Sequence, residues 1–249
     1  MIGRLLHATT MLSLLICGCA TPRPNIPSYP PLDPPDTLRI LAERSEHIRA
    51  LSAEALVTLA RDDGQTIRLD SALVMQPPDH LRLRAWKFGR AVFDLTVTPD
   101  GAWLIAPDDE QQREQIRRAA ASTTQFARQW SMLMGAFFGE PDLQVVHIDS
   151  RLMRVQLPPR PGQPTIVCEI DRPTLTPRQY LMLDDRGDAR FRFRMLLDRY
   201  DLVDGIPFPR RVRAISDQGR IAIDMRSVEL NGELAPAAFR PPRRAEKLP

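Results

Sequence analysis

QTIRLDSALVM (65–75), HLRLRAW (80–86) and AVFDLTVT (91–98) decide how this chain is read. In the first segment Ile67, Leu69, Leu73 and Met75 share one side, opposite Thr66, Arg68 and Asp70. Leu81, Leu83 and Ala85 oppose Arg82 and Arg84; Ala91, Phe93, Leu95 and Val97 oppose Asp94 and Thr96. An apolar residue at every second position is the period of a strand, whose side chains alternate between two faces. One apolar and one charged face describes a sheet packed on one side and wet on the other. The joints Pro77-Pro78-Asp79 and Phe88-Gly89 have turn composition and are too short for a crossover, so neighbouring strands run antiparallel.

Working outward, strands are expected at Ala53–Arg61 and Ala102–Ala106, joined through Asp62-Asp63-Gly64 and Pro99-Asp100-Gly101, which completes a five-stranded meander. A second set is expected at Leu143–Ile148, Leu152–Leu157, Thr165–Asp171, Arg178–Leu183, Arg190–Leu197, Phe208–Ser216 and Arg220–Leu230. Within it Phe191, Phe193, Met195 and Leu197 alternate with Arg190, Arg192 and Arg194, and Asp184 to Asp188, with its Arg-Gly-Asp, reads as a tight turn. Eleven or twelve antiparallel strands with one apolar face must close, or nearly close, around an interior. The residues expected to line it are Ile67, Leu69 and Leu73, then Leu81 and Leu83, then Phe93 and Leu95, and finally Phe191, Phe193 and Met195. Their side chains either fill the interior or leave a cavity for an apolar ligand.

Helices are expected in two places. Thr37 to Leu51 sets Leu38, Leu41, Ile48 and Leu51 on one stripe. Midway, Pro107-Asp108-Asp109-Glu110 suits a helix start, and a following stretch puts Phe126, Trp130, Leu133, Met134 and Phe137 on one broad stripe before Gly139-Glu140-Pro141. Of these, Phe126, Trp130, Met134 and Phe137 are candidates for a lid over the interior. The same stripe also describes an ordinary helix packed on a sheet.

Arg4, the apolar run Thr9 to Ile16 and Ile16-Cys17-Gly18-Cys19 have the layout of a bacterial lipoprotein leader, cleaved before a cysteine that carries lipid. A membrane-spanning helix needs about 20 apolar residues, and here Thr21-Pro22-Arg23-Pro24 follows directly on Ala20. The reading divides the chain into a signal peptide at 1–18, a lipidated proline-rich tether at 19–36, one domain at 37–244 and a tail at 245–249. In polyproline form the tether would hold the domain roughly 40–50 Å from the bilayer. Removal of Arg4 lowers the net charge from +3 to about +2, too balanced for nucleic-acid binding. With Cys17 discarded and Cys19 lipidated, only Cys168 remains, which excludes an intramolecular disulfide; its alternation with Ile166 and Ile170 reads as a buried, inert thiol.

Catalytic patterns are missing from the sequence. His47, His80 and His147 are dispersed without ligand spacing, and no nucleophile elbow or phosphate-cradling glycine loop occurs. A binder with no cofactor, no metal and no catalytic residue is therefore expected.

Ala53-Glu54-Ala55-Leu56-Val57, Pro78-Asp79-His80-Leu81-Arg82-Leu83, Phe93-Asp94-Leu95 and the Asp100-Gly101 turn occur in the first half of the domain. Near the end come Asp204-Gly205-Ile206-Pro207-Phe208-Pro209, Val228-Glu229-Leu230-Asn231 and Phe239-Arg240-Pro241-Pro242. Together these segments resemble the LolA/LolB superfamily, whose members carry lipoproteins through the periplasm and receive them at the outer membrane. The resemblance implies a mainly β (α+β) fold, a strongly curved, incomplete antiparallel barrel of about 11 strands with a helical lid. Its concave face would accept lipoprotein acyl chains or another lipid, and a periplasmic carrier protein would be a partner. The lipidated LolB branch is the closer one, and it implies that Trp86-Lys87-Phe88-Gly89-Arg90 is a membrane-probing loop with Trp86 and Phe88 as its apolar residues; the alternative is that Phe88 folds back onto the core. Ala20 after the lipidated cysteine resembles the signal for outer-membrane retention in enteric bacteria, so a periplasm-facing anchor there is expected.

Overall fold

In the computed structural model, which describes residues 26–60, 66–106, 113, 132, 134–158, 164–183, 191–216, 219–235 and 237–248, the first helix starts at Asp33. The Asp33 carboxylate accepts a hydrogen bond from the Asp36 N–H at 3.2 Å and caps α1 (Pro34–Glu46). Pro34 and Pro35, read from the sequence as tether, occupy the first turn. There a missing N–H costs nothing and the fixed φ is already helical. The helix therefore begins three residues before Thr37. It ends well before Leu51, which is recruited into the sheet. The junction is held by Asn231, whose side chain accepts from Arg49 N–H at 2.7 Å and donates to the His47 carbonyl at 2.8 Å. Residues 26–33 correct the tether reading too. The Tyr29 N–H donates to the Pro173 carbonyl at 2.7 Å, and Arg172 donates to the Leu32 carbonyl at 2.6 Å, so this stretch is fastened to the domain. Cys19 lies outside the described residues.

The expected strands all form, with ends moved by a few residues. The first meander is β1 (Leu51–Ala60), β2 (Thr66–Gln76), β3 (His80–Lys87), β4 (Arg90–Thr98) and β5 (Gly101–Ile105). The second is β6 (Gln144–Ile148), β7 (Leu152–Gln156), β8 (Thr165–Asp171), β9 (Thr176–Leu183), β10 (Phe191–Val203), β11 (Ile206–Ser216) and β12 (Gly219–Leu230). A further two-residue strand, β13 (Glu246–Lys247), brings the number among the described residues to thirteen, against the eleven or twelve expected. The order is β13-β5-β4-β3-β2-β1-β12-β11-β10-β9-β8-β7-β6, so the two meanders meet where β1 pairs with β12. The sheet curves strongly without closing, an incomplete barrel with a helical cover. β10 runs past the expected Leu197 because Asp204-Gly205, with φ of 50° and 79°, forms a two-residue hairpin that keeps Val203 opposite Ile206.

Alternation predicts the two faces well. Leu51, Ala53, Ala55 and Val57 of β1 and Leu69, Leu73 and Met75 of β2 face inward. Outside, cross-strand pairs join the ribbons. Arg154 meets Glu169 at 2.6 Å, Glu169 accepts from Gln179, and Gln179 accepts from Arg194 at 2.8 Å, a polar ladder across β7 to β10.

The outer face of β4 is different. Asp94 and Thr96, expected to be wet, are buried. Asp94 is held by Arg82 at 2.8 Å and Arg84 at 3.0 Å, and Arg82 also donates to the Ala238 carbonyl. The C-terminal segment thus returns across this face, and the stretch read as a tail at 245–249 is part of it. His80 and Phe239 rings stack edge-on at 5.2 Å; Glu246 and Lys247 then pair with Leu104 and Trp103 of β5. Opposite Gly101 the fit is tight, since a Cβ there would lie 2.7 Å from Lys247 Cε.

Asp94→Ala is expected to lower unfolding free energy by about 3 kcal/mol, because it strands Arg82 beneath the tail. The exposed pair Arg226–Asp70 provides the comparison: Asp70→Ala should cost less than about 1 kcal/mol in the same urea titration.

Candidate functional site

The sheet has two distinct ends, defined by register. Leu51 pairs with Met75 and Leu230, whereas Ala60 pairs with Thr66 and Arg220. At the Leu51 end lie the exit of α1, the β8–β9 turn and the β10–β11 turn. The β3–β4 tip lies at the other end, about 30 Å away along ten residues of strand.

Between the ends runs the apolar concave face. Leu69, Leu73, Leu81, Leu83, Phe93, Leu95, Phe193 and Met195 are all buried in one cluster, and Ile67 is half-buried against it. Phe191 belongs to β10, and its side chain lies outside the described residues. Of the lid candidates, Met134 and Phe137 join the same cluster, whereas Phe126 and Trp130 lie outside the described residues. Phe137 is not on a continuing α-helix. Gly135 adopts φ 87° and ends the run, and Ala136–Gly139 form a 3-10 turn. This turn aims the Phe137 ring at Tyr180, 5.6 Å between centroids, and at Phe138, 5.4 Å.

The 3-10 turn and α1 press together. A Cβ on Gly135 would sit 2.5 Å from Ser45 Cβ, so the approach requires glycine. Around this contact a small cleft, partly open to solvent, is lined by Leu41, Met134, Phe138, Leu175, Tyr200 and Phe208 with others. Sequence reasoning missed this site. Leu175 was a turn residue and Tyr200 lay beyond the expected end of its strand; the Asp204-Gly205 pair was the signal that would have extended that strand.

Titratable groups here serve packing and turns. Burial pushes the Cys168 thiol well above its ordinary range, which makes it a poor nucleophile, and does the same to the Tyr180 and Tyr200 hydroxyls. The Asp149 carboxyl is held down at about 2 by the N–H groups of Arg151 and Leu152 and by His147, the pattern of a turn cap. No group of three or more potential metal ligands occurs among the described residues.

The β3–β4 tip settles the geometry of Phe88. Phe88 and Gly89 have φ of 50° and 74°, the left-handed pair of a tight hairpin, and Phe88 is 94% exposed. A non-glycine residue at such a φ costs about 1–2 kcal/mol, and this one directs an aromatic ring into solvent. Lys87 lies 5.7 Å from that ring, and Arg84 covers the half-buried Trp86 at 5.5 Å.

No protein-family model and no curated protein sequence matches the chain. Solved structures do. A DUF1329 family protein from Desulfovibrio piger superposes with a TM-score of 0.59 at 15% identity, covering 84% of this chain and 98% of the other. A LolA superfamily protein from Nitrosomonas europaea gives 0.55 at 14% identity, covering 81% and 96%. A domain from Vibrio parahaemolyticus, assigned to outer membrane lipoprotein sorting, gives 0.54 at 12%, covering 84% and 97%. At these identities the likeness establishes the LolA-like fold.

Gly135→Ala should cost at least about 2 kcal/mol in thermal or urea unfolding, from its positive φ and the clash with Ser45. Gly89→Ala meets no atom within 4 Å and carries only the φ penalty, so about 1 kcal/mol is expected from the same measurement.

Proposed function

We propose that this chain is a non-catalytic lipoprotein of the periplasm, anchored at the outer membrane through Cys19, that holds an apolar chain on its concave face. The cargo would be lipoprotein acyl chains or a free lipid, exchanged with a periplasmic carrier protein. The observation that supports this most is the single apolar face running the length of the half-barrel, covered at one end by α1 and the 3-10 turn. Each buried methylene contributes about 0.8 kcal/mol, so a dozen would offset the cost of parting that cover. The fold likeness to lipoprotein-sorting and LolA superfamily structures supports the same reading.

A second reading has an observation of its own. Leu73, Leu95 and Met195 show no exposed surface, which suits a half-barrel filled by its own side chains and used as a partner-binding module. The mature chain, produced unlipidated, separates the two. On the carrier reading it takes up one fluorescent fatty acid per molecule and releases lipid on organic extraction. No uptake and no extractable lipid would favour the filled module.

The resemblance to the LolB branch also assigns Phe88 a membrane contact. Its exposure, with Lys87 and Arg90 beside it, suits the headgroup boundary of an anionic bilayer. Phe88→Glu is expected to weaken binding of the unlipidated chain to phosphatidylglycerol vesicles by about tenfold or more; unchanged co-sedimentation would remove that role.

A further inference from the structure

Arg44 stands on the last turn of α1, half-buried at the rim of the cleft. Among the described residues that line this cleft, it carries the one formal charge. Its guanidinium donates to the Leu175 carbonyl at 2.7 Å and to the Tyr29 hydroxyl at 2.7 Å, and lies 5.3 Å over the Tyr29 ring. Those acceptors are neutral. Several other arginines meet carboxylates: Arg39 meets Glu43, Arg82 meets Asp94, Arg154 meets Glu169 and Arg213 meets Asp198; Arg172, away from the cleft, donates to the Leu32 and Asp149 carbonyls as Arg44 does to Leu175. No carboxylate among the described residues pairs with Arg44. Among the described residues its acceptors are thus neutral, and a carboxylate or phosphate would offset the desolvation of the guanidinium better.

We propose that the cleft selects an anionic single-chain amphiphile, with its carboxylate or phosphate on Arg44 and its tail against Leu41, Met134 and Phe208. The inference rests on the apolar-chain reading above and adds the head group to it. The guanidinium fork fits either anion bidentately. The anion competes with the Tyr29 hydroxyl for the same donors, so its arrival loosens the segment that fastens the N-terminus to the domain. Arg44 also suits the negative end of the α1 dipole, but that structural role has no means of ranking head groups.

The test uses the mature chain Cys19–Pro249, unlipidated, with dodecanoate, dodecyl phosphate and dodecanol displacing a bound apolar fluorophore. The wild-type chain should bind both anions about tenfold or more tighter than the alcohol. Arg44→Gln should abolish that preference, so that the anions bind no tighter than dodecanol to the same variant, and Arg44→Lys should keep part of it. The tighter of the two anions identifies the head group. Equal affinity for dodecanoate and dodecanol in the wild-type chain overturns the inference and leaves the apolar-chain reading standing, and so does a preference that survives in Arg44→Gln. If none of the three displaces the fluorophore, both fail. Should Arg44→Gln not fold, the wild-type ranking of anion over alcohol still decides the matter.

Discussion

The pairing of β1 with β12 is the constraint on which the rest of this structure depends. Each meander could form locally from short turns, but each alone would end in a bare edge of backbone donors and acceptors. Ten residues of β1 pair with β12, from Leu51 opposite Leu230 to Ala60 opposite Arg220, with one shift of register between Glu54 and Ala55. This contact joins residues far apart in the chain, so its loop-closure cost is met only when the whole sheet assembles. Asn231 fixes the register at one end of the seam. Its positive φ turns the chain just after β12, and its side-chain bonds to Arg49 and His47 set where α1 stops.

That seam makes one curved sheet with unlike sides. The concave side is dry and aliphatic. The convex side is crossed by arginine and carboxylate pairs that satisfy charge between strands without a second layer of protein. Where a layer is added, over β4, the C-terminal segment supplies it and simultaneously pairs the outer edge of β5. The opposite edge is treated differently. β6 leaves Val145, Val146 and Ile148 exposed, and its register with β7 shifts between Val145 and His147, an irregularity that works against strand addition.

Function in this arrangement follows from separation. The fastened N-terminal segment, α1, the 3-10 turn and the cleft gather at one end of the strands, while Phe88 projects from the other. A ligand seated on Arg44 and a membrane touched by Phe88 would therefore address the same apolar face from its two ends. Gly135 permits the close seat of the cover, and the edge-on contacts of Phe137 with Tyr180 and Phe138 hold it there.

The fold was largely legible before any coordinates. Period-two alternation marked twelve strands, because a side chain in a sheet faces the core or the solvent by parity alone. The concave residues from Leu69 to Met195 followed from the same parity, and the left-handed Phe88-Gly89 turn from its glycine. What parity does not carry is the partner of each face. Asp94 and Thr96 read as wet because the segment that covers them comes some 140 residues later in the chain. Pro34 and Pro35 read as tether because only Asp33 and the docked α1 make them a first turn. Nothing in the sequence sets Arg44 apart from the other arginines; its place at the rim of an apolar cleft, with neutral acceptors on Leu175 and Tyr29, comes from tertiary packing. The sequence by itself determined the strands and their faces, since those rest on local geometry. Only the tertiary structure decided the edges, the cover and the charge at the cleft rim, since those depend on segments brought together by the β1–β12 seam.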